Sequence, residues 1–204
     1  MIRHHPSQTT LLAFATGALP DLHRQVVAAH VKICPGCASE MRAMEEVGGA
    51  LLEVLPPTAL APDAFSRVLG RLEKFEARAA SPSAPLTLSG LATGRWRWSG
   101  PGIAMMPLRA RDATDTRLDL IRVTPGTALL EHGHTGFETT MVLQGAFDDG
   151  IAQYRVGDFA EADGEIDHEP RALSGEMCIC LIATSGHLSA RGLMGRLIRP
   201  LLGM

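Results

Sequence analysis

The chain has 204 residues, long for one domain and comfortable for two of about 80 and about 120 residues. A hydrophobic content of 46% builds ordinary cores, and a net charge of −3 argues against general affinity for nucleic acid. No run approaches the roughly 18 apolar residues that a membrane span needs, and residues 11–15 are too short an apolar stretch to act as a signal peptide.

In chain order, the first third reads as helical. Ser7 caps a first helix carrying Leu11, Leu12 and Phe14, which Gly17 can end. Pro20-Asp21 opens a second helix with Val26, Val27 and His30, stopping near Cys34-Pro35-Gly36. A third runs from about Ala38 through Met41, Met44, Val47, Leu51 and Leu52 until Pro56-Pro57 halts it. After Pro62-Asp63 a fourth carries Phe65, Val68, Leu69, Leu72 and Phe75 at helical spacing. This apolar stripe either completes the helical core or, detached by Pro56-Pro57, seeks a partner's groove. Residues 77–85 are small, proline-bearing and unpatterned, as a linker is. Beyond them the period becomes that of strands: residues 95–98 alternate, 117–123 partly alternate, and 139–147 and 177–184 are apolar candidates. The chain is therefore expected to be α + β, with helices over 1–77, a linker over 78–86 and a strand-rich sandwich or barrel over 87–204.

Four cysteines are present. Cys178 and Cys180 lie two apart in an apolar run, a poor disulfide geometry, so a reducing cytoplasm fits best. The other two belong to His30-x3-Cys34-x2-Cys37. His30 and Cys34 share a face at a helix end, Cys-x-x-Cys brings Cys37 alongside, and one of His4 or His5 would complete a Cys2His2 set. Imidazole and thiolate are what Zn2+ prefers, and four such groups close a structural site. Spacing alone does not choose between the two upstream histidines.

A second constellation lies in the strand-rich half: Gly126-x5-His132-x-His134-x3-Glu138-x6-Gly145, then Gly157 and His168. His132, His134 and Glu138 are all even-numbered, so one strand face can present them together, with His168 arriving from a later hairpin. Three imidazoles and a carboxylate suit zinc or another divalent transition metal. His23 and His187 have no ligand companion nearby and read as surface or boundary residues. The acidic run around His168 reads as a solvated hairpin, and the arginine- and leucine-bearing tail after His187 as a segment packing on the β-domain or on a second copy.

These motifs carry a resemblance. Residues 126–145 fit the first cupin motif, and Gly157 and His168 fall in place for the second. Asp163 and Glu165 replace its usual proline and glycine, and Ala172 its common asparagine. The N-terminal motif resembles that of the zinc anti-sigma domains, which implies His5 as the upstream ligand. With Ile2-Arg-His-His5, Val47-Gly-Gly, Leu143-Gln-Gly-Ala-Phe147 and Cys178-x-Cys180, the chain resembles the ChrR family of anti-sigma factors over essentially its whole length. The resemblance implies a zinc-bound helical domain that clamps an extracytoplasmic-function (group IV) sigma factor, and the stripe of Phe65, Leu69, Leu72 and Phe75, read from its spacing, is the face expected to meet it. The resemblance also implies a cupin β-barrel whose metal, at His132, His134, Glu138 and His168, serves release under oxidative stress by singlet oxygen or organic peroxide. The expected protein is thus regulatory rather than catalytic, without direct contact to nucleic acid or membrane. Its rival is a cupin dioxygenase or isomerase with an accessory zinc domain.

Overall fold

The computed structural model describes residues 1–75, 94–164 and 168–190. The linker expected over 78–86 and the tail after residue 190 lie outside them. Four helices come first: α1 (Gln8–Ala15), α2 (Asp21–Ile33), α3 (Pro35–Glu53) and α4 (Ala64–Phe75). Ser7 caps α1 as expected, its side chain accepting the Thr10 N–H. The junction of α2 and α3 is tighter than the sequence suggests. Cys34 is forced into an extended conformation by the following proline (φ −104°, ψ 104°), and Pro35 then starts α3 at once, three residues before its expected start. The single residue Cys34 thus closes one helix and opens the next, and Cys37 falls in the first turn of α3.

The strands are β1 (Arg97–Gly100), β2 (Ile103–Arg109), β3 (Thr116–Val123), β4 (His132–His134), β5 (Glu138–Gln144), β6 (Ala146–Asp148), β7 (Gln153–Arg155), β8 (Phe159–Ala162), β9 (Arg171–Ala172), β10 (Cys178–Ser185) and β11 (Leu188–Ala190). They form a six-stranded sheet in the order β1-β2-β3-β10-β5-β8, a three-stranded sheet β7-β6-β9 and the pair β11-β4, with antiparallel pairing throughout. The strand expected over 139–147 breaks at Gly145, where φ is +68° and a Cβ would lie 2.6 Å from the Met177 carbonyl oxygen. Only glycine accommodates that approach, and β6 leaves for the second sheet there.

Side-chain alternation in the six-stranded sheet serves two cores. Leu118, Leu120, Met141, Leu181 and Ala183 face the helices and join Leu22, Val26, Val27 and Leu11 in one buried cluster. Ile121, Val123, Val142, Cys178 and Cys180 face the other way, toward Phe147, Tyr154 and Ala172 of the small sheet. Val26, Val27, Leu120 and Leu181 are completely buried, each contributing about 1.5–3 kcal/mol through lost apolar exposure. Helices and sheet therefore share a continuous core. His23, expected at the surface or a boundary, lies fully buried in the seam between them. Among the described residues no helix is long and apolar enough to cross a membrane.

Candidate metal centres

The α2–α3 junction gathers four donor groups. His5 Nδ1 is 3.3 Å from Cys34 Sγ and 3.4 Å from Cys37 Sγ, and His30 Nε2 is 3.4 Å from Cys37 Sγ. All four ligand atoms lie within 4.8 Å of one another, so the group can hold a metal ion. His5, rather than His4, enters it, and that choice was closed to spacing alone. His4 turns away to pack its ring against Tyr154, with centroids 4.7 Å apart.

The electrostatics suit a cation. Burial holds His30 below its ordinary pKa, with the hydrogen bond to Gly157 opposing, so its imidazole is neutral as a ligand must be. Burial, then the neighbouring Cys34, pushes the Cys37 thiol up to about 12. A buried thiolate here requires a positive partner, which a bound metal ion would supply. Two thiolates with two imidazoles fit tetrahedral zinc.

The β-domain surroundings reach into this centre. His30 Nδ1 donates to the Gly157 carbonyl at 2.9 Å, which leaves Nε2 as the lone-pair nitrogen. Asp158, only 1% exposed, accepts the Arg3 and His4 N–H groups through Oδ1 and the Arg155 N–H through Oδ2. Burial alone would raise its pKa, but these three donors hold the carboxyl below its ordinary value.

Part of the second constellation borders a cavity of about 190 Å³ between the six-stranded and three-stranded sheets. His132, Glu138 and His168 line it, with Ile121, Val123 and Phe147 as its apolar wall. Antiparallel bridging sets His132 opposite His168, and their Nε2 atoms face each other at 3.1 Å. His132 Nδ1 donates to the Leu130 carbonyl at 2.7 Å, turning Nε2 toward its partner. Glu138 accepts from the Thr140 and Thr184 hydroxyls, each at 3.2 Å. Two imidazole nitrogens in that arrangement share either a proton or a cation. His134 stands on β4, but its side chain lies outside the described residues.

Cys178 and Cys180 line the same cavity as buried free thiols, with Sγ atoms 3.7 Å apart. Their mutual hydrogen bond draws Cys178 below its ordinary pKa and, with burial, pushes Cys180 well above. Arg117 and Asp119, which the motifs do not include, also line the cavity and pair at 3.1 Å. Their alternation within β3 was the available signal.

The α4 stripe is exposed: Phe65 74%, Val68 54%, Leu69 44% and Leu72 56%. Phase alone could not tell a core stripe from a docking face, and among the described residues nothing covers this one. Phe75 ends α4, its side chain outside the described residues. The later half of α3 adds Val47, Leu51 and Leu52, all more than half exposed, which sequence reasoning had counted only as helix-forming.

Residues 88–188 match the family described as ChrR Cupin-like domain. The chain is 36% identical to the anti-sigma-E factor ChrR of Cereibacter sphaeroides over 98% of its own length and 97% of the relative's. It is also similar to a chain in the crystal structure of Rhodobacter sphaeroides SigE in complex with the anti-sigma ChrR. That similarity runs at 37% identity and a TM-score of 0.78, over 91% of this chain and 100% of that one. A Cys2His2 cluster at a helix junction, a cupin-like pair of antiparallel sheets and likeness along nearly the whole chain agree: the protein belongs to the ChrR family of anti-sigma factors, regulatory proteins rather than enzymes.

Proposed function

We propose that this chain sequesters an extracytoplasmic-function sigma factor in the cytoplasm and so keeps it from RNA polymerase. The observation carrying this reading is the similarity, at a TM-score of 0.78 and 37% identity, to a chain solved in the SigE–ChrR complex. In this reading residues 1–77 form the inhibitory domain, with Zn2+ held by His5, His30, Cys34 and Cys37. Phe65, Leu69, Leu72 and Phe75 meet the sigma factor, and the exposure of the first three supports this. Bound zinc would contribute folding free energy, while the four side chains set its geometry and the helices position them.

Residues 78–86 are the linker and 87–204 a cupin domain closing as a barrel. Its His132, His134, Glu138 and His168 take zinc or another divalent transition metal and make release responsive to singlet oxygen or organic peroxide. The facing imidazoles and the cavity beside them support that assignment.

The test is coexpression with candidate extracytoplasmic-function sigma factors from the same genome, followed by co-purification and a reporter read from each factor's promoter. One factor is expected to be retained and its reporter silenced. A folded, metal-loaded chain that retains none and leaves every reporter active overturns the reading.

A further inference from the structure

Residues 1–7 belong to no helix or strand, yet they deliver His5 to the first metal centre. They are held by the β-domain at β7, β8 and the turn between them: Glu161 of β8 accepts the Ser7 N–H at 3.1 Å, Tyr154 of β7 packs on the His4 ring, and the turn binds the backbone nearest His5. Asp158 Oδ1 takes two consecutive N–H groups, Arg3 at 2.6 Å and His4 at 3.1 Å, and the Phe159 N–H donates to the His4 carbonyl at 3.1 Å. Ile2 and Ile33 close over Gly157, where φ is +90° and a Cβ would lie 2.9 Å from Ile2 Cγ1. The carbonyl of that glycine accepts from His30 Nδ1.

We infer that the Gly157–Asp158 turn of the β-domain is the outer support of the helical metal centre, orienting two of its four ligands, His5 and His30, from the opposite half of the chain. The inference rests on reading those four residues as metal ligands. Asp158 is a positioning residue: it fixes the strap one residue before His5, whose own backbone nothing regular constrains. The Gly157 carbonyl selects the His30 tautomer, because without an acceptor a fully buried ring N–H would be left unpaired. Of the three N–H groups on Asp158, that of Arg155 serves the turn itself, whereas those of Arg3 and His4 serve only the strap. The same turn leads into β8, whose Ala162 pairs with Glu138 of the second constellation. A β-domain that loosens at this turn therefore loosens the helical metal.

The experiment loads the full-length protein with Co2+ and follows the thiolate-to-cobalt charge-transfer band. Cys34→Ser with Cys37→Ser serves as the control in which the band must vanish. Excess chelator is added at a temperature where each variant keeps native far-ultraviolet dichroism, and the rate of band loss is measured. Asp158→Ala is expected to lose cobalt about 10–100-fold faster than wild type, and Asp158→Asn, which keeps one acceptor oxygen, by an intermediate factor. Ile2→Ala, a change on the strap that leaves the turn's own bonds intact, is expected to accelerate loss as well and stands in should Asp158→Ala fail to fold. Wild-type rates in both Asp158→Asn and Ile2→Ala would overturn the inference while leaving the metal centre in place. A wild-type protein with no thiolate band would remove the metal centre and the inference together. Neither readout depends on sigma-factor capture.

Discussion

His30 donates one ring N–H to Gly157 and aims its other nitrogen at Cys37, so a carbonyl 127 residues away sets its tautomer. Cys34 and Cys37 are each 3% exposed and can reach water only if the junction opens. Replacing both with serine is expected to remove one metal equivalent per chain, read by elemental analysis, and to melt α1 and α3; a double mutant with full metal content would reject the site. His23 offers a second residue-level prediction. It is fully buried, with Nδ1 3.0 Å from the Thr139 hydroxyl and Nε2 3.3 Å from that of Ser185. Burial lowers its pKa from 6.5 to about 4, against the raising influence of Glu138 and Asp112. Because the folded-state pKa is the lower one, the folded chain binds fewer protons. The stability linked to His23 is complete above pH 6.5 and is lost as pH falls toward about 4, roughly 2 kcal/mol of it by about pH 5. His23→Gln, which keeps hydrogen-bonding capacity without titrating, should flatten the acid limb of a melting-temperature profile relative to wild type. Identical limbs would show that this histidine does not control it.

Among the elements, α4 has the clearest division between stability and binding. Its apolar residues are exposed, so polar substitution removes little burial. Phe65→Ser and Leu69→Ser are expected to shift the melting temperature by no more than about 2 °C while weakening the sigma complex about 10–100-fold, as loss of an apolar interface anchor does. Calorimetric titration against the captured factor checks this, and an unchanged affinity would move the contact elsewhere, with Val47, Leu51 and Leu52 of α3 next in line. The β5–β6 break makes the opposite prediction. Gly145→Ala meets the Met177 carbonyl at 2.6 Å in a left-handed conformation, so a cost of about 1–3 kcal/mol in urea unfolding is expected. The substitution should leave metal content intact, because no ligand sits on that turn.

At the scale of the whole molecule, the α2 face bearing Leu22, Val26 and Val27 is buried against the six-stranded sheet. A fragment of residues 1–77 is expected to bind zinc and the sigma factor, yet to melt lower and self-associate, because that face would then meet water. Gel filtration and thermal melts of fragment and full chain make the comparison. In the full chain, alanine at His132, His134, Glu138 and His168 together is expected to leave inhibition intact and blunt release by singlet oxygen or organic peroxide. Full induction in a reporter strain carrying the quadruple mutant would deny the cupin half a sensing role.

The number and kind of the helices, the cysteine–histidine motif and the candidate ligands of the cupin half were legible in the sequence, because each rests on local rules: 3.6-residue periodicity, proline and glycine punctuation, and metal-ligand spacing. Local rules ran out where partners are distant in the chain. Short strands such as β4, β7 and β9 carry two or three residues, too few for a period to show, and exist only through their neighbours in the sheet. The choice of His5 over His4, the burial of His23 and the work of Asp158 all depend on residues more than 100 positions away. By itself the sequence determined that His30, Cys34 and Cys37 stand together as donors and supplied candidates for the rest. The tertiary structure alone decided how they are held, because packing α2 against the sheet brings β-domain backbone to the helical ligands and makes two apparent domains share one core.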